Sequence, residues 1–251
     1  MSVSVIPKIL HYVWVGSALP DKQRAFIETW RRHNPDFKIV AWNEGSIDFS
    51  VPAIANAYRR RRWTTVADIV RLSAVLQHGG IYLDTDMEAR KSFAPLLKDR
   101  CFFGFQAEWH PTDWVNNAVF GAAPDHWFIR RAYERIIAIR SVPLGLDRPT
   151  KYGPKLITKL LREEGLSTYS PEGVRVNGIF IHPTPAFYPI PWDQPANSGN
   201  IGRESYAVHL WERSWQKDMP RLLMYAANTR ARFSRRLTST IQRTRFRAGG
   251  T

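Results

Sequence analysis

A single cysteine, Cys101, stands among 251 residues, which excludes an intramolecular disulfide and any zinc site built from cysteine pairs. Long apolar runs are lacking too. None approaches the roughly 18 residues of a membrane-spanning helix, and Met1–Leu10 has neither the charged start nor the extended apolar stretch of a secretory leader. A soluble cytoplasmic protein is therefore expected. Acids are scarce relative to bases, 22 Asp+Glu against 36 Lys+Arg, giving a formal net charge of +14. Eight of those charges are Arg221, Arg230, Arg232, Arg235, Arg236, Arg243, Arg245 and Arg247, in a stretch from Met219 onward that contains no acid. Most of the basicity thus belongs to the tail, which argues against a chain built throughout to bind nucleic acid. Hydrophobic residues, at 44% with 10 Trp, are plentiful, and a chain of this length buries roughly 70–75% of its unfolded surface without a staple.

The patterning predicts a globular domain over residues 1–218 and a basic tail over 219–251. Leu222, Leu223, Met224, Tyr225, Phe233, Leu237 and Ile241 interleave with the tail's arginines. Two readings of it stay open: a basic amphipathic helix that lies peripherally on an anionic inner-membrane surface, or a solvated tail. Arg59-Arg60-Arg61-Arg62 reads as a solvated connector that can also attract phosphates.

Within the domain, Ile6 to Gly16 is β-branched and aromatic and predicts a buried strand. Phe26, Ile27 and Trp30 at helical spacing, after Pro20 and before Asn34-Pro35, predict a helix over 21–32. A second strand is expected at Phe37–Trp42, completing the strand–helix–strand unit from which parallel sheets are made. Thr64 to His78 is apolar nearly all round and predicts a buried helix, ended by Gly79-Gly80. Ile81 to Asp86 is expected as a strand with an apolar start and an acidic end. Strands at 101–106 and 117–121, helices at 127–139 and 154–164, and a late strand at 206–210 follow. The fold class is α/β.

The chemistry concentrates in Ala67-Asp68-Ile-Val-Arg71 and Gly79-Gly80-Ile-Tyr82-Leu-Asp84-Thr-Asp86. Acids at i and i+2 on a strand share a face. Crowded carboxylates repel unless a cation or a proton relieves them, and hard oxygen ligands suit Mg²⁺ or Mn²⁺ completed by phosphate oxygens. Asp-x-Asp also occurs in ordinary surface turns. Asp68 and Arg71, three residues apart on an apolar helix, form either a local ion pair worth a few tenths of a kcal/mol or a polar pair presented to a hydroxylated ligand. Gly79-Gly80 turns the chain directly from that helix into the acidic strand, which brings the two pairs close. Trp14 and His209, taken alone, read as structural, as do His11, His78 and His182.

Four blocks in order carry a resemblance: Ile6-Pro-Lys-Ile-Leu-His-x-x-Trp14, Ala67-Asp68-x-x-Arg71, Gly79-Gly80-Ile-Tyr82-Leu-Asp84-x-Asp86 and His209-Leu-Trp-x-x-Ser214-Trp215. Together they resemble glycosyltransferase family 32, the Asp-x-Asp sugar transferases that include yeast initiating mannosyltransferases; the first three also resemble the catalytic domain of large clostridial glucosylating toxins. The resemblance covers about 6–215. It implies a GT-A fold, a single nucleotide-binding Rossmann-like domain with a mostly parallel central sheet, and a retaining transferase that needs Mn²⁺ or Mg²⁺. It further implies that Trp14 stacks on the base of a UDP- or GDP-hexose and that Asp68 and Arg71 grip sugar hydroxyls. Tyr82 and Asp84 lie near the ribose and donor sugar by the same resemblance, Asp86 and His209 bind the metal, and Ser214 and Trp215 flank the diphosphate. Asn117 of the pair Asn116-Asn117 corresponds to an Asn at the transferred sugar. The expected acceptor is a saccharide or lipid-linked saccharide. The competing expectations are a noncatalytic nucleotide-sugar binding module and a nucleic-acid-binding protein that uses the basic tail.

Overall fold

In a computed structural model, which describes residues 6–112, 114–139, 152–192, 194 and 201–212, the first expected strand is β1 (Ile9–Val13) and the first helix is α1 (Asp21–His33). β2 (Lys38–Trp42) returns parallel to β1, register Ile9 on Lys38 through Val13 on Trp42. An eight-residue helix, α2 (Pro52–Arg59), precedes α3 (Trp63–His78). β3 (Gly80–Leu83) then pairs parallel to β1. The chain continues through β4 (Met87–Ala89), β5 (Cys101–Phe105), β6 (Val115–Ala122), α4 (Trp127–Ile137), α5 (Pro154–Glu163), β7 (Val174–Val176), β8 (Ile179–His182) and β9 (Ala207–His209). The seven-stranded sheet has the order β2-β1-β3-β6-β5-β8-β7. β6 and β7 run against the other five strands, so the sheet is mixed with a mostly parallel sense. β4 and β9 form a separate antiparallel pair.

The chain divides into two compact units, 1–141 with 147–212 and 142–146 with 213–251. The second unit, with Ser214, Trp215 and the arginine-rich tail, lies outside the described residues. Among the described residues no helix is long and apolar enough to cross a membrane.

Side-chain alternation divides the core between the two faces of the sheet. Tyr82, Phe103 and Phe120 pack toward Val66, Ile69 and Val70 of α3 and Phe128 of α4. Leu10, Ile81, Leu83 and Phe102 face Ile27 and Trp30 of α1. Because residues two apart on a strand share a face, Asp84, just beyond β3, follows Tyr82 onto the side occupied by α3. The reversal between α3 and β3 requires glycine: Gly79 and Gly80 have φ of 63° and 99°. A Cβ on Gly80 would lie 2.7 Å from the Ile9 carbonyl oxygen.

A second construction, on the opposite face, fixes the late strand. The Trp30 indole N–H donates to the Met87 carbonyl at 2.7 Å and the Ala89 N–H donates to the Thr29 hydroxyl at 2.9 Å, which ties α1 to β4. β4 holds β9 in the register Met87 on His209. A histidine 123 positions downstream of Asp86 is thereby returned to it through backbone pairing.

Buried histidines, His11 and His182 among them, make the fold acid-sensitive. His11 Nδ1 accepts from the Trp42 indole at 3.1 Å, so its Nε2 carries the proton donated to the Gly79 carbonyl at 2.8 Å. Burial lowers its pKa from 6.5 to about 4, and burial among Phe102, Phe180, Phe187 and Tyr206 does the same to His182. Both are neutral in the fold and titrate near 6.5 once it opens, so the unfolded chain binds more protons between those values. Each therefore contributes stability that is present above about pH 6.5 and is lost as pH falls toward 4, on the order of 3 kcal/mol at full extent. Urea midpoints measured from pH 7 to pH 4.5 are expected to fall, and His182→Phe is expected to flatten that slope. An unchanged slope in the variant contradicts the assignment.

Candidate functional site

At the end of the sheet where β3 finishes, three polar groups of α3 and β6 close on one another. Arg71 reaches Asp68 Oδ1 at 3.2 Å and Asp84 Oδ1 at 3.1 Å through Nη2, and Nη1 donates to the Asn117 carbonyl at 2.8 Å. The Asn117 amide donates to Asp68 Oδ1 at 3.2 Å. Its neighbour Asn116 turns to Gln106 and caps the Ala118 N–H. Tyr82 lies under the guanidinium, 4.5 Å from ring centroid to Cζ, and its hydroxyl donates to Asp84 Oδ1 at 2.8 Å. Tyr82 is 1% exposed, so it supports Arg71 and Asp84 from below.

The electrostatics follow from burial. Desolvation raises Asp68 to about 6, against Arg71 and Asn117, which favour its charge, and with Asp84, which opposes it. Asp84 is likewise raised by burial and by Asp86, with Arg71 opposing. Burial alone would disfavour the Arg71 cation, but Asp84, Tyr82 and Asp68 outweigh it and strengthen its protonation. Arg71 is thus the fixed positive charge to which the acids are tuned.

Asp84 and Asp86 do not sit on one strand face. β3 ends at Leu83 because the next residues leave the ladder in a tight turn, in which the Met87 N–H donates to the Asp84 carbonyl at 3.0 Å, and the chain then joins β4 in the other sheet. The turn aims Asp86 at β9. His209 Nε2 lies 3.2 Å from Asp86 Oδ1, and the Glu212 N–H donates to Asp86 Oδ2 at 3.0 Å. Burial would raise Asp86, but His209 and the Glu212 N–H hold it below the usual carboxylate range. Ligand atoms of Asp84, Asp86 and His209 all lie within 4.8 Å of one another. Two hard carboxylates and one imidazole whose Nε2 faces Asp86 suit a divalent cation such as Mn²⁺ or Mg²⁺.

Three residues that sequence reasoning did not assign, Trp211, Glu212 and Gly153, complete the geometry. Trp211 adopts a left-handed φ of 52°, uncommon for a bulky residue. Its indole donates to the Ile190 carbonyl at 2.7 Å, its ring lies 3.9 Å from that of His209, and the bend turns the next N–H onto Asp86. The Glu212 carboxylate is held by Gln23 at 2.6 Å and by Lys22, both on α1. Gly153, at the start of α5, packs where a Cβ would meet Asn117 Oδ1 at 3.0 Å and Asp68 Oδ1 at 3.3 Å. Gly153→Ala is therefore expected to displace the Asp68–Asn117 pair at a stability cost of about 1 kcal/mol, read as a fall in thermal midpoint of roughly 2–4 °C, whereas an unchanged midpoint would show that the pair yields freely to the methyl.

Trp14 stands apart from this cluster, just beyond β1, partly exposed, with its indole bonded to the Ser17 carbonyl at 3.0 Å. Near it, the Gly16 N–H and the Tyr58 hydroxyl both donate to Glu44 Oε1, and Trp63 covers Gly16. No short motif marks Glu44, Tyr58 or Trp63, because they come from three separate elements.

Residues 20–103 match the family described as the glycosyltransferase sugar-binding region containing the DXD motif, and residues 147–223 match the alpha-1,4-glycosyltransferase conserved region. The human alpha-1,4-N-acetylglucosaminyltransferase is 30% identical over 189 residues, covering 69% of this chain and 50% of that protein. The inositol phosphoceramide mannosyltransferase 3 of Schizosaccharomyces pombe is 28% identical over 131 residues, 50% of this chain and 36% of its own. The rat lactosylceramide 4-alpha-galactosyltransferase is 25% identical over 160 residues, 60% and 41%. The chain spans about half, or less, of the length of these relatives. Among solved structures, the PaToxG glycosyltransferase superposes with a TM-score of 0.51 at 17% identity, covering 64% of this chain and 70% of that one. That likeness concerns the fold, which is GT-A.

Proposed function

We propose, from the premise that this chain belongs to the glycosyltransferases carrying the DXD sugar-binding region, that it is a cation-dependent, retaining hexosyltransferase. It takes a hexose from a nucleoside diphosphate sugar and passes it to a saccharide or lipid-linked acceptor. The convergence of Asp84, Asp86 and His209 within 4.8 Å, beside the buried Asp68–Arg71–Asn117 cluster, carries this reading. The names of the relatives support a lipid-linked acceptor, since lactosylceramide is a glycolipid and inositol phosphoceramide a sphingolipid with a polyhydroxylated headgroup.

In this reading Asp86 and His209, with Asp84 within reach, hold Mn²⁺ or Mg²⁺, whose contribution is to neutralise the charge that develops on the leaving diphosphate. Arg71, Asp68 and Asn117 orient the hexose through its hydroxyls, and the mutual bonds among the three fix that geometry before the donor arrives. Trp14 offers a stacking face to the base. No side chain is assigned as nucleophile: attack on the face the diphosphate leaves gives retention, with the departing phosphate oxygen taking the acceptor's proton. The test is release of nucleoside diphosphate across a panel of UDP- and GDP-hexoses, with and without Mn²⁺. Release from at least one donor, abolished by EDTA and restored by Mn²⁺, is expected. Binding without release would identify a noncatalytic module, and neither binding nor release would overturn the reading.

A further inference from the structure

One turn before Asp68, the start of α3 lines a cavity of about 440 Å³, a volume within the range of small-molecule sites. Buried Ile69 and Ile136 form an apolar wall, Arg60 and Arg62 line it from the α2–α3 junction, and Tyr152 lines it from the segment that leads into α5. The next residue, Gly153, is the one that packs against Asp68 and Asn117. Thr65, Asp68 and Arg71 follow one another at three-residue steps along α3. Because Arg71 then reaches Asp84, the cavity lies beyond Asp68 as seen from the cation cluster.

The polar groups of this cavity suit an anion. The first N–H groups of a helix have no partner within it, no side chain caps α3, and no acid stands in its first turn. Thr65, in that turn, is only 9% exposed, and its hydroxyl has no hydrogen-bond partner among the described residues. A hydroxyl this deep is costly to leave unbonded. Arg60, on the same lining, forms no ion pair among the described residues. A helix N-terminus carries partial positive charge with its N–H groups directed outward, and a hydroxyl and a guanidinium beside it add donors of the kind that hold phosphate.

We propose that this cavity anchors the acceptor by a phosphate group, which sits on the N-terminus of α3 and accepts from the Thr65 hydroxyl and Arg60. The inference rests on the transferase reading given above and narrows its acceptor class to a phosphate-bearing polyol or sugar. Ile69 and Ile136 offer its ring carbons an apolar wall, and one helical turn separates the anchored phosphate from the group that grips the donor hexose.

The experiment is calorimetric titration of the full chain in EDTA, so that no cation at Asp86 can hold the phosphate. The probes are inositol 1-phosphate, free inositol, inorganic phosphate and soluble dihexanoyl phosphatidylinositol. Inositol 1-phosphate is expected to bind more tightly than inorganic phosphate, and free inositol not to bind. Thr65→Val and Arg60→Gln are each expected to weaken that binding about tenfold or more, with the thermal midpoint of Thr65→Val unchanged or higher. Arg61→Gln, which removes the same charge from outside the cavity lining, is expected to bind as the wild type does. Tighter binding of the dihexanoyl lipid than of inositol 1-phosphate assigns the phosphate to a lipid headgroup, and the reverse order to a free phosphorylated polyol; either order supports the anchor. Affinities of both cavity variants within about twofold of wild type overturn the proposal. Inorganic phosphate binding as tightly as inositol 1-phosphate also overturns it, because the cavity then holds any small anion and selects no acceptor. A wild type that binds inositol 1-phosphate through Thr65 and Arg60 yet releases nucleoside diphosphate from no donor overturns the transferase reading itself, an outcome distinct from these two.

Discussion

Asp86→Ala is expected to lower Mn²⁺-dependent release of nucleoside diphosphate by about a thousandfold, on the order of 4 kcal/mol of transition-state stabilisation, while the protein stays folded. Asp86 faces His209 and lies at the centre of the set that suits a cation. Its structural duty is smaller, since it accepts the Glu212 N–H at 3.0 Å, a bond worth about 1 kcal/mol. The two roles separate in Asp86→Asn, which retains an acceptor for that N–H and loses the charge. Asparagine should match alanine in lost turnover and Mn²⁺ affinity while restoring most of the thermal midpoint. Turnover of Asp86→Asn within tenfold of wild type, with Mn²⁺ present, would mean that Asp86 only braces the Trp211–Glu212 bend.

The partition between what the sequence declared and what it hid follows from how locally each feature is encoded. β1, α1 and β2 were legible because a β-branched run, a helical spacing and another such run each specify an element without outside help, and the handedness of the link leaves a parallel pair as the outcome. α3 was legible because apolar residues surround it. α2 was missed: its eight residues present only Ile54 and Ala57 to the core, too little for a period to emerge. β9 was legible as the late strand expected at 206–210, whereas β4, three residues long, is shorter than any alternation and exists because it pairs with β9 and α1 grips it. The same difference divides the site. Asp68, Arg71, Asp84 and Asp86 lie within one helix–turn–strand segment and could be grouped by spacing, although the tight turn, and not a shared strand face, is what aims Asp86. His209 was visible only through the family resemblance, since nothing local distinguishes it from a structural histidine. Gly153 acts through one close approach to Asn117 and Asp68 fixed by distant elements, which no periodicity reports.

Arg71→Met tests whether the acids at the end of β3 are a built charge cluster or a set of neighbours. Methionine preserves most of the packing over Tyr82 and removes the cation that faces Asp68 and Asp84 at 3.2 and 3.1 Å. Breaking a buried pair from one side costs about 3–5 kcal/mol, or a fall in thermal midpoint of roughly 6–20 °C for a domain of this size. The dependence on pH distinguishes this from a packing defect. Burial already raises Asp68 to about 6 with Arg71 in place, and removing the opposing cation raises it further. An acid whose pKa is raised by folding loses stability as pH climbs through the range between its unfolded and folded values. The penalty in Arg71→Met, taken relative to wild type at the same pH, should therefore be largest above pH 7 and shrink toward pH 5 as the folded variant takes up the missing charge as protons. Urea midpoints of the two proteins at pH 5 and pH 7.5 measure it. A penalty equal at both pH values would assign the loss to packing alone. Arg71 would then be a helix residue that happens to lie beside acids, and the sugar-binding geometry derived from its bonds to Asp68, Asp84 and Asn117 would lose its electrostatic basis.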